Sequence, residues 1–227
     1  MPALPSSSAW IGTLLLGEHV AALQGRSGRS LRHAHYAHQL LLSDAEPWLV
    51  EVDGKRRQAH RLWLPSFQSH AVLAAPAEGC TIFLEPSHVD VDAVLAQLPN
   101  LPAQLSALQP LLSGLCRARP LDRRLQAAIA EIGARLPDSV SAADIAQAAH
   151  WSTSQLQRRF QSDLAVTLRG WVLWRRLHQA LLRLLAGDSL TDSAHAAGFA
   201  DLAHLSRSLR RMFGIGAAQL RGLRLQT

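Results

Sequence analysis

The chain has 227 residues, 48% hydrophobic and 18% charged, with a formal net charge of +6. That length and apolar content suit two folded domains and exclude a disordered or collagen-like chain, while Cys80 and Cys116 alone cannot build a disulfide framework or a zinc finger. The apolar run from Thr13 to Gly17 is too short to span a bilayer and follows no basic segment, so a cytoplasmic protein that does not engage membranes is expected.

From about Ile11 to Pro86, short apolar runs broken by turn residues predict strands. Trp48 to Val52 leads through Asp53-Gly54 toward a second run ending at Leu62 to Pro65, and Asp-Gly between two such runs marks a hairpin. His70 to Leu73 and Cys80 to Leu84 read as further strands. Seven of the 11 histidines lie before residue 100, three of them in His33-Ala34-His35-Tyr36-Ala37-His38-Gln39. In a strand, His33 and His35 would point to one face. This segment resembles the first motif of the cupin barrels, in which His-x-His and a later carboxylate hold a metal that a histidine on a distant strand completes. The resemblance implies His33, His35, Gln39 and His70 as ligands of a divalent metal such as zinc, nickel, iron or copper, with Gln39 where the carboxylate is expected. His60 and His88 read as ordinary surface or hydrogen-bonded residues, and Cys80 as a small buried hydrophobe.

Beyond Val89 the texture turns helical, with Val94, Leu95 and Leu98, then Leu105, Leu108, Leu112 and Leu115 after Pro99 and Pro102. This nearly uncharged stretch is expected to pack on the strands or to form a dimer seam. The expected division is 1–98 as a sensor or dimerisation module, 99–120 as an apolar helical linker and 121–227 as a helical domain. Residues 1–118 hold 8 basic and 9 acidic side chains, and residues 119–227 hold 15 and 8, so the positive excess lies wholly in the last part. Lys55 is the only lysine, and guanidinium groups suit phosphates and guanine edges.

Pro120 and Asp122 open a helix with Leu125, Ile129, Ile132 and Leu136 on one face, ended by Pro137-Asp138. A helix-turn-helix pattern then occurs twice. The first copy runs from Ser141 through a turn at Trp151-Ser152-Thr153 to Phe160, with Ser152 and Gln155 forming a capping box. Burial of Leu156 and Phe160 leaves Ser154, Gln155, Gln157, Arg158 and Gln161 for the major groove. The second copy runs from Leu190 through Ala197-Gly198-Phe199-Ala200 to Arg211, and burial of Phe199, Leu205 and Leu209 turns His204, Ser206, Arg207, Arg210 and Arg211 outward. Between them Thr167 to Leu185 predicts one helix of roughly 28 Å, close to the ~34 Å between major-groove faces on one side of B-DNA.

The region from about 121 to 225 resembles the AraC/XylS family of bacterial transcription regulators. The resemblance rests on Ala194-x-x-x-Gly198-Phe199, Leu205-Ser206-Arg207, Leu209-Arg210-Arg211, Phe213-Gly214 and Arg221. It implies an α+β fold class, with an N-terminal cupin-like β-barrel or jelly roll and a C-terminal all-α domain holding two helix-turn-helix units. It also implies base contacts at Ser154, Gln157, Arg158, His204 and Arg207. Ala217 stands where the family has proline, Leu205, Leu209 and Leu220 where it has aromatics, Ala165 where it has glycine, and Ser193 where it has Ile or Val. The expected function is a non-enzymatic, sequence-specific transcription regulator. Its expected partners are double-stranded DNA, a small-molecule effector, a second copy of the chain and, for an activator, RNA polymerase. The rival reading is a cupin-type metalloenzyme localised on DNA by its helical domain, with Glu51, Glu85 or Tyr36 as the base.

Overall fold

A computed structural model describes residues 9–116 and 120–226. The strands are β1 (Ile11–Leu16), β2 (Val20–Arg26), β3 (His38–Leu42), β4 (Trp48–Val52), β5 (Lys55–Ala59), β6 (Arg61–Leu64), β7 (His70–Ala74), β8 (Gly79–Leu84) and β9 (Gly222–Leu225). The helices are α1 (Val91–Gln97), α2 (Leu105–Leu115), α3 (Arg123–Arg135), α4 (Ala142–Ala148), α5 (Thr153–Leu164), α6 (Leu168–Leu185), α7 (Leu190–Ala196) and α8 (Leu202–Phe213). This is the α+β class expected, with a β-rich N-terminal region and a helical C-terminal one.

The chain forms two compact units, Met1–Arg117 with Ser206–Thr227, and Ala118–Leu205. This differs from the three consecutive segments read from the sequence, because the last turns of the chain join the strands rather than the preceding helices. In the first unit one sheet has the order β6-β3-β8-β2-β1-β9 and a second the order β5-β4-β7. Among the described residues the strand pairings are antiparallel except β1 with β9, which runs parallel in the register Ile11↔Gly222 to Leu14↔Leu225. Asp53 and Gly54 both take positive φ, 48° and 80°, as the tight β4–β5 hairpin requires.

Side-chain alternation along β3 divides the core in two. Leu40 and Leu42 face Cys80, Ile82, Leu84 and the buried residues of α1 and α2, whereas Leu41 belongs with Trp48, Val50, Val52, Leu64 and Val72 between the sheets. The apolar stretch 99–115 is therefore a cover for the larger sheet, with Leu101, Leu105, Leu108, Leu112 and Leu115 all buried, and not a free linker. Cys80 is fully buried, and that burial pushes its thiol up to about 12, so it behaves as a small hydrophobe.

In the second unit Asp122 caps α3 by accepting from Arg124 and Leu125 N–H groups, and Leu125, Ala128 and Ile132 are buried. Thr167 caps α6, whose buried residues are Leu168, Trp171, Leu177 and Ala180. Phe160 of α5 meets Trp171 edge-on with ring centroids 6.3 Å apart. Five of the departures from the resembled pattern acquire physical meaning. Leu205, Leu209 and Leu220 are buried and keep their positions apolar. Ser193 is fully buried, and among the described residues its hydroxyl has no hydrogen-bond partner. Ala165 ends α5 with φ +57°, the left-handed cap that glycine adopts without steric cost.

Gly198 turns with φ +77°, and a Cβ there would lie 2.0 Å from the carbonyl oxygen of Pro137. Gly198→Ala is therefore expected to destabilise the protein by at least about 2 kcal/mol, since strain and a backbone clash add. Ala165→Gly is expected to stabilise it by about 0.5–1 kcal/mol. Urea denaturation of both variants checks the pair; equal midpoints for all three proteins would contradict the assigned turns.

Candidate nucleic-acid interface and histidine cluster

Helix α5 is positioned by its cap. Ser152 N–H donates to Gln155 Oε1 at 2.9 Å, and Gln155 N–H donates to Ser152 Oγ at 3.2 Å. This fixes where α5 starts, and with Leu156, Phe160 and Leu164 buried it fixes which face is free. Ser154, Gln157, Arg158 and Gln161 are all exposed at spacings of three and four, so they form one continuous polar face. Gln155 is exposed too, but its carbonyl oxygen is committed to the cap. Arg159 pairs with Asp163 at 3.3 Å and lies over the Trp151 ring, whereas among the described residues no acidic partner holds Arg158.

The α8 helix is opened by Asp201, whose carboxylate accepts the His204 N–H. Arg207, Arg210 and Arg211 are exposed, His204 and Ser206 are half-buried, and Leu205, Ser208, Leu209 and Met212 are buried. His204 rests edge-on against Phe199 with centroids 5.2 Å apart, which orients its ring. His204, Arg207 and Arg211 share one helical stripe. Among the described residues Arg207, Arg210 and Arg211 also have no acidic partner, so their charge faces solvent. One further cation was not singled out in the sequence. Arg169 is exposed beside the Thr167 cap and lines a groove with Gln157. Its signal was its place in the first turn of a long helix, where backbone N–H groups attract phosphates.

In the β-rich unit His33, His35 and His70 come together, with one ligand atom of each within 4.8 Å of the others. His33 and His70 bond through their backbones in an isolated bridge. His35 sits in irregular backbone before β3 rather than in the expected strand. Gln39 lies on β3 with its Oε1 3.2 Å from His35 Nε2. Each imidazole has its Nδ1 against a carbonyl: Leu31 at 2.8 Å, Ala37 at 2.9 Å and Gln68 at 2.8 Å for His33, His35 and His70. A carbonyl only accepts, so each Nδ1 carries the proton, which leaves a lone pair on Nε2 of neutral His33 and His70, whereas His35 Nε2 lies against the Gln39 amide. All three rings are buried, and His70 Nε2 has no hydrogen-bond partner among the described residues. Burial lowers the His33, His35 and His70 pKa values, His35 to about 3, so the rings are neutral and in the protonation state that binds metals. Phe213 from the end of α8 packs on His35 with centroids 5.5 Å apart and meets Phe83 edge-on at 5.6 Å. Leu31 N–H donates to the Gly214 carbonyl at 2.9 Å, tying that helix end beside His33.

The carboxylates and phenol of the metalloenzyme reading are engaged elsewhere. Glu51 pairs with Arg32, Glu85 with His19 at 2.8 Å, and the Tyr36 hydroxyl lies 3.4 Å from Ser87 Oγ. No described helix is long and apolar enough to cross a membrane.

Residues 145–222 match the family described as a helix-turn-helix domain. Over 76 residues the chain is 37% identical to the transcriptional activator NphR of a Rhodococcus species, covering 33% of this chain and 22% of that protein. The match thus spans about a fifth of the relative's length. Among solved structures, ToxT from Vibrio cholerae is similar over 89% of this chain and 97% of its own, with 10% identity and a TM-score of 0.56. ToxT from Vibrio cholerae strain SCE256 with bound unsaturated fatty acid is similar over 87% and 91%, with 10% identity and a TM-score of 0.54. These two likenesses extend the shared fold across both the β-rich and the helical regions.

The buried histidines fix the sign of a pH effect. An unfolded histidine takes up a proton near pH 6.5, while His35 in the fold resists until about 3, so the unfolded state binds more protons as pH falls. Stability is full above about pH 6.5 and is expected to drop by roughly 1.4 kcal/mol per pH unit for each ring held neutral. Urea midpoints in chelator at pH 7.5 and 5.5 test this above the carboxylate range; a midpoint that rises on acidification would refute it.

Proposed function

We propose that the chain is a sequence-specific DNA-binding transcription regulator of the AraC/XylS family, a reading supported by the match of residues 145–222 to a helix-turn-helix domain. The observation that carries this reading is the free polar face of α5, where Ser154, Gln157, Arg158 and Gln161 follow one another at helical spacing above a buried apolar face. Glutamine pairs with adenine and arginine with guanine in the major groove. His204, Ser206, Arg207, Arg210 and Arg211 of α8 provide the second set of contacts, and Arg169 a phosphate contact. Gln155 assists through its NH2 group.

The β-rich region is the sensor in this reading. One nitrogen from each ring within 4.8 Å of the others, and the orphaned His70 Nε2, support a divalent cation held by His33, His35 and His70, with Gln39 as a weaker oxygen ligand. When bound, the ion supplies a fixed positive charge that links three chain segments. Phe213, the last residue of α8, lies directly on His35, which supports communication between an effector and a DNA-reading helix. A ligand shifts DNA affinity only as far as it prefers one position of that helix. The protein works in the cytoplasm, engages RNA polymerase when it activates, and functions without catalysis.

Selection of bound fragments from random DNA should return a consensus, and Arg158→Ala and Arg207→Ala should each weaken that site by about 1–3 kcal/mol. Binding of the same site should fall steeply with added salt, because several arginines displace condensed counterions. Unenriched fragments, or variants that bind as tightly as the parent, would defeat the proposal.

A further inference from the structure

One arginine beside the turn of the first motif is held more firmly than a solvated surface cation needs. Arg124 lies in the first turn of α3, the helix that precedes both motifs. Its Nε–H donates to the Ala149 carbonyl at 2.8 Å, at the end of α4, and its guanidinium carbon lies 4.9 Å from the centre of the Trp151 ring. The indole is half-buried, and Trp151 N–H donates to the Ala146 carbonyl at 2.8 Å as the chain leaves α4. Arg159 of α5 approaches the same ring at 5.9 Å but shares its charge with Asp163. Arg124 is exposed, and among the described residues it has no acidic partner.

The contacts of Arg124 engage its Nε–H and the flat side of its guanidinium. They leave the four N–H bonds of the two Nη atoms, the pair that forms a fork for a planar or tetrahedral anion. A backbone bond and a ring contact also fix the side chain before any ligand arrives, so less entropy is lost when that fork takes a phosphate.

The place of this fork decides what it meets. Residues two apart on a helix point about 200° apart, so Gln157 and Arg159 mark the two flanks of the α5 face that carries Ser154, Arg158 and Gln161. Arg169 shares a groove with Gln157 on one flank, and Arg124 stands with Trp151 and Arg159 on the other. A helix of about 10–12 Å diameter fills a major groove about 12 Å wide, whose walls are the two phosphate backbones. Cations on opposite flanks of a seated helix therefore face opposite strands.

We propose that Arg124 is a DNA-backbone contact: its guanidinium binds a phosphate of one strand while Arg169 meets the other, so that side chains from α3 and α6 clamp α5 from both sides. The inference rests on the reading of α5 as a major-groove helix. It gives α3 a part in binding although that helix lies outside both motifs. The contact sets register and carries no sequence information, since phosphates are alike at every base pair.

Affinity of the full chain for its selected site and for a scrambled fragment, measured over a range of salt concentrations, tests the clamp. Arg124→Gln keeps a donor near the Ala149 carbonyl and lacks the charge. It is expected to weaken both fragments by the same factor and to lower the slope of log affinity against log salt by about one. Arg124→Lys should restore the slope. A purely bracing role predicts no such rescue, because an ammonium has neither the Nε donor nor the flat face. A parental slope in Arg124→Gln, a slope that Arg124→Lys fails to restore, or a loss confined to the selected site would overturn the proposal. Arg158→Ala separates the two levels. If it weakens the selected site while Arg124→Gln keeps the parental slope, the clamp alone fails; if it binds as tightly as the parent, the groove reading fails and takes the clamp with it.

Discussion

The helical unit depends on the apolar face of α6. Leu168, Trp171, Leu177 and Ala180 are buried along a helix of 18 residues, and Trp171 receives Phe160 from α5 while the helix's later turns receive α7. A reading helix is useful only if its buried face is held firmly enough to fix its exposed one. Leu156, Phe160 and Leu164 do that for α5, and their packing explains why Ser154, Gln157, Arg158 and Gln161 share one orientation. Pro137 serves a second tie, because its carbonyl lies in contact with Gly198 and also accepts from Arg176 of α6. The turn of one motif is thereby set by the loop that leads into the other.

The β-rich unit is organised by a different constraint. Gln39 shares the face of β3 that Leu41 uses, and His70 shares the face of β7 that Val72 uses, so the polar cluster occupies the same layer between the sheets as the apolar core. Burying three imidazoles there is tolerable because each satisfies one nitrogen on a backbone carbonyl within two residues. The same bonds select one tautomer for all three. A set of buried neutral rings is a costly way to fill a core.

Much of this was legible in residue order. Asp53-Gly54, the capping box at Ser152 and Gln155, and the breaks at Pro137 and Gly198 are local signals, and each marks a turn or helix end in the structure. The clustering of His70 with His33 and His35 followed from the cupin resemblance rather than from spacing. Other features depend on pairings between distant segments, which no local pattern encodes. Arg124 meets Trp151 because α3 packs against α4 and α5, and Arg124 by itself looks like a solvated surface base. The apolar stretch after Pro99 was ambiguous for the same reason, since amphipathic spacing does not name the surface it covers. The commitment of Gln155 to its cap was visible in the sequence, yet it competes with base reading in a way that only the geometry brings out.

The pairing of β1 with β9 joins Ile11 to Gly222, almost the full length of the polypeptide apart. Such a contact closes a very long loop, so it belongs among the last to form as the chain folds. It also governs how the molecule tolerates dissection. A fragment cut between the β-rich and helical regions would carry β9 away as a lone segment and leave β1 as a bare edge, an invitation to edge-to-edge aggregation. Half-length pieces would report on their own exposed edges more than on the parts they contain.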